Sequence, residues 1–119
     1  MSPKVKRLSV EPIIRLYLGR RFVFGPGKAA LLEQIARTGS ISEAAKAMAM
    51  SYMKAWKLVH SLDRGFAEPL VLKRRGGSAR GGATLSATGQ QVLTLYREMA
   101  TVARCAVRRP GTRFTRLLK

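Results

Sequence analysis

Hydrogen-bond donors and positive charge are the chemical resource of this sequence: basic residues cluster at Lys4 to Arg7, at Arg20 and Arg21, at Lys73 to Arg80 and from Arg104 to Lys119, and two segments combine donors in a pattern that could read nucleic acid. Ser51, Tyr52, Lys54 and Lys57 follow one another at spacings that keep them on or near one side of a helix. Lys73, Arg74, Arg75 and Arg80 stand in the run K-R-R-G-G-S-A-R-G-G. Hydroxyl, ammonium and guanidinium groups so arranged can bond phosphate oxygens and, at close range, acceptor atoms on base edges in a major groove. Lys54 is the leading candidate for such a base contact. Paired glycines among cations suit a loop that approaches a phosphate backbone or enters a minor groove. They do not fit the nucleotide-cradling pattern G-x-x-x-x-G-K-[ST].

Catalysis has no comparable foothold. His60 has no second metal ligand or nucleophile at a usable spacing and is read as a surface polar residue. Cys105 is the only cysteine, which excludes an internal disulfide and leaves no thiolate set for a metal. The 6 Asp and Glu residues are scattered among predicted helices and turns. The expectation is a protein that is not an enzyme, with no cofactor and no metal.

The elements that must position the donors can be read from periodicity. Residues 13–18 (I-I-R-L-Y-L) and 22–24 predict two strands. Leu31, Leu32, Ile35 and Ala36 recur at helical spacing and predict a helix over 26–38. Ser42 is expected to cap a second, two-turn helix through the orphan amides of its first turn, with Glu43 favourable there. A break near Ala49 and Met50 leads to Ser51, a second cap, and to a third helix whose Ala55, Trp56, Val59 and Leu62 form its buried face. Trp56 is thus expected in the core, and Leu58 on or near the donor side. Ala44 and Ala45 allow the second helix to approach its partner closely, as two helices crossing at a tight turn require. Ala49 stands where helix-turn-helix sequences favour glycine. If φ is positive there, alanine costs on the order of 1 kcal/mol.

Residues 70–72 and 83–85 predict the two arms of a hairpin around the basic glycine-rich loop. Ser86 is placed to cap a long final helix carrying the apolar stripe Val92, Leu93, Tyr96, Met99, Ala100 and Ala103. That helix is expected to run to about Val107, where Pro110 and Gly111 stop it. The fold class is mainly α with a small β component: a winged helix-turn-helix with a long C-terminal dimerisation helix. The divisions are a basic N-terminal segment (1–12), the winged helix-turn-helix (13–107) and a basic tail (108–119).

Charge points the same way. In 119 residues, 23 Lys and Arg stand against 6 acids, a formal net charge of +17. Such a balance disfavours compactness by self-repulsion but favours a polyanion, whose condensed counterions are released on binding. No apolar run approaches the ~20 residues of a membrane span. No secretory signal pattern follows the basic start, so the expected compartment is the cytoplasm and no membrane partner is expected.

The stretch L-L-E-Q-I-A-R-T-G-S-I-S-E-A-A-K-A-M-A-M-S-Y-M-K-A-W, residues 31–56, resembles the amino-terminal domain of ModE-type molybdate-responsive regulators. The similarity extends over E-P-L-V at 68–71, the glycine-rich loop, and T-L-S-A-T-G-Q-Q-V-L, covering roughly residues 13–103. It is shared more loosely with LysR-type regulators. The resemblance implies a homodimer on a palindromic operator in double-stranded DNA, acting as a transcriptional regulator. By motif position it places Ser51, Tyr52 and Lys54 on the reading helix, Ser42 and Lys46 near phosphate, and Arg75, Ser78 and Arg80 in the wing. Family members carry a carboxy-terminal molybdate-binding region, and this sequence ends about where that would begin, so no molybdate site is expected within it. Two other readings remain. One is an architectural protein that binds DNA by charge without regard to sequence. The other is an interaction module whose winged helix contacts a protein or an anionic membrane.

Overall fold

The computed structural model describes residues 7–74 and 82–119. The chain opens with an antiparallel hairpin, β1 (Leu16–Leu18) and β2 (Arg21–Phe24), turned through Gly19 and Arg20. Strand pairing begins three residues later than the apolar run suggests. Tyr96 explains the difference: its hydroxyl donates to the Ile14 carbonyl at 2.8 Å. Backbone ahead of β1 is thus committed to the final helix instead of to a strand partner.

Helix α1 (Pro26–Thr38) has proline in its first turn, where the missing N–H is no loss, and ends on Gly39 at φ 73°. Its Leu31, Leu32 and Ile35 are fully buried. Helix α2 (Ile41–Ala47) is capped by Ser40, not Ser42: the Ser40 hydroxyl accepts the Glu43 amide at 3.1 Å. The helix starts one residue before Ser42 because Ile41 is buried in the core and already helical. S-I-S-E is a capping-box sequence in which the hydroxyl half forms. The Glu43 carboxylate lies instead 3.5 Å from Lys46.

Helix α2 ends with the Met50 amide on the Ala45 carbonyl and the Ala49 amide on that of Lys46. This is a Schellman closure, with Ala49 at φ 53° in its left-handed position. Helix α3 (Tyr52–Gly65) then starts from Ser51, whose hydroxyl accepts the Lys54 amide at 3.1 Å. The α3 face packed into the core is Ala55, Val59 and Leu62. Leu58, placed by the sequence toward the donor side, also turns inward against the core.

Strands β3 (Val71–Lys73) and β4 (Ala83–Leu85) pair antiparallel as Val71 with Leu85, Leu72 with Thr84 and Lys73 with Ala83. The Ala83 amide also donates to the Gly39 carbonyl at 2.8 Å, which fixes the hairpin against the α1–α2 corner. Helix α4 (Ala87–Thr115) is capped by Ser86 through the Gly89 amide at 2.9 Å. It is tied to α1 by Arg97, whose guanidinium lies 2.9 Å from the Glu33 carboxylate.

Helix α4 does not stop at Val107. It continues through Pro110 and Gly111 to Thr115, so the basic tail from 108 is largely helix. Proline removes one helical hydrogen bond and favours a kink without forbidding a turn beyond it. The N-terminal segment supports the extra turns, with Val10 set beside Gly111 and lining, with Leu8, a shared depression on α4. The Thr112 and Thr115 hydroxyls donate to carbonyls one turn back, at 3.1 Å each.

The core joins the two hairpins to the helices. Phe24 is fully buried and meets Phe66 and Tyr96 edge to face, with centroids 6.1 and 5.1 Å apart. Burial raises the Tyr96 phenol above its ordinary pKa, with Arg15 pulling the other way. The architecture is the expected one: mainly helical, two small sheets, a winged helix-turn-helix and a long last helix.

Candidate nucleic-acid interface

The tight α2–α3 turn delivers the start of α3 beside the base of the β3–β4 hairpin. A groove of 230 Å³ opens there, lined among others by Ser42, Tyr52, Lys73 and Arg74. Among the described residues that line it there is no carboxylate. The Arg74 amide donates to the Gly82 carbonyl at 2.7 Å, continuing the ladder past Lys73 and holding both basic residues at the groove's edge. The Ser42 and Tyr52 hydroxyls, the Lys73 ammonium and the Arg74 guanidinium can each donate to a phosphate, and the last two add positive charge.

Expected site residues divide as follows. Ser42 and Tyr52 enter the groove, Ser42 from the second helical position of α2 and Tyr52 from the first of α3. Ser51 is committed to capping, so its hydroxyl fixes the direction of α3. Lys54 and Lys57 are exposed on α3 outside the groove. Lys46 is exposed beside Glu43, also outside it. Arg75, Ser78 and Arg80 lie outside the described residues.

Trp56 is not a core residue. It is half-buried, its ring stacks on His60 with centroids 4.3 Å apart, and the Lys73 ammonium sits 5.6 Å from the ring centroid. Trp56 follows Ala55 by one residue, which turns it about 100° away from the buried face. Its partners are therefore His60 one turn later and the first arm of the wing. A cation over an indole face is attracted by the ring quadrupole, so Trp56 links α3 to the strand that carries Lys73.

Three residues near the groove are not among the site residues expected from the sequence: Lys73 and Arg74, which stand in the basic loop run, and Met53. The first two were readable from their position at the loop's inner ends, where a hairpin is still held by its ladder. Met53 is 56 % exposed, next to Tyr52 at 51 %, on the first turn of α3. Its signal was its place two residues before Ala55, on the side of the helix opposite the core.

A short helix pair crossing at a tight turn, followed by a hairpin wing and a long helix, defines the class: a winged helix-turn-helix protein. Residues 28–90 match the family described as bacterial regulatory helix-turn-helix protein, lysR family, and the chain belongs to that family. It is 37% identical over 95 residues to the transcriptional regulator ModE of Yersinia pestis, covering 80% of this chain and 36% of that protein. To the molybdenum-pterin-binding protein MopB of Rhodobacter capsulatus it is 42% identical over 72 residues, covering 60% of this chain and 27% of that one. The chain thus spans about a third of the length of the curated relatives it matches.

Among solved structures, the CbnR_DBD-DNA complex superposes with a TM-score of 0.55 at 21% identity, covering 72% of this chain and 93% of that one. The likeness at that identity is one of fold. The ModE-type resemblance seen in residues 31–56 is borne out, and so is the looser kinship with LysR-type proteins. The family is regulatory, which supports the expectation that this chain is not an enzyme. Among the described residues no helix is long and apolar enough to cross a membrane.

Proposed function

We propose that this chain is the DNA-reading unit of a transcriptional regulator. It binds double-stranded DNA with α3 in the major groove, while the α2 start and the wing base hold the phosphate backbone. The observation that carries this reading is the groove, without a carboxylate among its described lining residues, in which Ser42, Tyr52, Lys73 and Arg74 meet beside the exposed first turn of α3. A phosphate in that groove would seat the first turn of α3 against base edges, the division of labour between backbone and base contacts that DNA readers use. Lys54 and Lys57 are then base or phosphate contacts from α3, and Lys46 supports the backbone from α2. Arg75, Ser78 and Arg80 extend the contact through the wing.

The protein acts as a homodimer on a palindromic site. Ile14, Leu95, Glu98, Met99, Val102 and Ala103 line a depression of 590 Å³ along α4, apolar but for the Glu98 carboxylate. Apolar side chains in one exposed strip fit a second copy better than water. The site of action is the cytoplasm, where the regulator meets its operator. Regulation of molybdenum-related genes is the reading suggested by the relatives' names.

The test is selection from a pool of random duplexes at about 150 mM salt, where the Debye length is near 8 Å and weak electrostatic capture is reduced. Enrichment of an inverted repeat is expected. Tight binding without enrichment would replace this reading with the architectural one, which the charge of +17 favours on its own.

A further inference from the structure

We infer that Met53 reads the C5-methyl group of a thymine in the major groove, making it a specificity-determining residue of α3. The inference rests on the DNA-reading function proposed above. At about 100° per residue, Val59 and Leu62 fall within about 40° of Ala55, which fixes the buried face. Met53 is then turned about 200° from Ala55, on the outward side, with Lys57 one turn further along the same face. The structure agrees with this geometry: Ala55, Val59 and Leu62 are buried, while Met53 is 56 % exposed.

No packing requirement of the described chain accounts for an apolar residue at that place. Met53 is not among the residues packed against the core, and it sits between Tyr52 and Lys54 on the turn that contributes Tyr52 to the groove. In the major groove thymine presents, beside its O4 acceptor, a C5-methyl group that cytosine lacks, and this methyl takes an apolar contact and no hydrogen bond. An unbranched, polarisable thioether chain can follow a methyl group whose exact position varies from site to site. Lysine and tyrosine neighbours supply donors for the flanking acceptors, so one helical turn would present a donor, an apolar and a donor group in succession.

The experiment uses the full chain and the best duplex from the random-pool selection. Each thymine in the α3 footprint is replaced singly by deoxyuridine, which removes the methyl group and leaves pairing intact. Binding is measured for the wild type, Met53→Ala and Met53→Gln, with folding of each checked by circular dichroism. For one thymine, loss of the methyl should weaken wild-type binding about fourfold, the value of one buried methyl-sized group. The same replacement should leave both variants within about 1.5-fold of their own thymine duplex, because the partner of the methyl is gone. Equal deoxyuridine effects on wild type and variants, or no effect at any thymine, would overturn the assignment of Met53 while leaving DNA reading by α3 intact. A pool that yields no enriched sequence would overturn both.

Discussion

Two single residues store unfavourable free energy that substitution should release. Ala49 holds φ 53° so that the α2 carbonyls can be closed before α3 begins. An L-residue with a Cβ pays roughly 1–2 kcal/mol in that region, whereas glycine pays little. Glycine's freer unfolded chain takes back about 0.4–1 kcal/mol. Ala49→Gly should therefore stabilise the protein by about 0.5–1 kcal/mol, read as a higher urea midpoint with unchanged slope. Lys28 is the second case. It is 9 % exposed in the first turn of α1, where a cation opposes the helix dipole, with one bond of 3.4 Å to the Val23 carbonyl and the Phe22 ring 5.0 Å away. Burial lowers its pKa from the ordinary lysine value. The folded chain thus loses this proton before the unfolded chain does, and between the two pKa values the unfolded state binds more protons, so stability rises with pH there. The penalty is fully present below the folded pKa. Lys28→Met should accordingly gain most over wild type near neutral pH, and the gap should close as pH approaches the ordinary lysine range. A gap that is flat or widens with pH in urea titrations would refute the account.

Among the elements, the α4 entry shows how closely sequence dictates packing. A Cβ on Gly89 would collide with the Leu70 carbonyl oxygen, and that same carbonyl accepts the Ser86 amide at 2.9 Å. The obstacle is backbone, so it cannot rotate away. Gly89→Ala should cost about 2–3 kcal/mol in urea unfolding, and the α4 cap should lose hydrogen-exchange protection first. The caps were largely legible: Ser51 and Ser86 precede their helices as the residue types demand. Ser40 was missed for Ser42 because both are serines ahead of the same run, and only the burial of Ile41 decides between them. The end of α4 was missed because proline and glycine are local stop signals, while packing by Val10 on the far side of Gly111 comes from about a hundred residues away. Trp56 was misassigned for a related reason. Its spacing groups it with Ala55, Val59 and Leu62, but the 100° step from Ala55 carries it to the edge of that face, where it meets His60 and Lys73. The chemistry of the site was legible as residue types; which of them share one groove required the hairpin to be docked on the α1–α2 corner.

At the scale of the whole molecule, charge and apolar surface make separate demands, and each can be tested by removing its source. A net charge of +17 gives long-range attraction to any polyanion, but only cations held at a phosphate change the counterion stoichiometry. Lys73→Ala and Arg74→Ala should each lower the slope of log affinity against log salt by about 0.9. An equal number of substitutions on the far end of α4, such as Arg109→Ala and Arg113→Ala, should change it less. The apolar strip makes the second demand. Leu95, Met99 and Val102 are 50 %, 39 % and 62 % exposed along one side of α4. In a two-fold interface each substitution occurs twice, so even about 1.5 kcal/mol per copy amounts to a factor of about 150 in dimer dissociation. Val102→Glu should therefore shift sedimentation equilibrium toward monomer while leaving the groove of Ser42, Tyr52, Lys73 and Arg74 untouched, since Val102 does not line it. The monomer should still bind a half-site at low salt, with the preference for an inverted repeat lost. A variant that stays dimeric with an unchanged dissociation constant would place the two-fold contact elsewhere on the molecule.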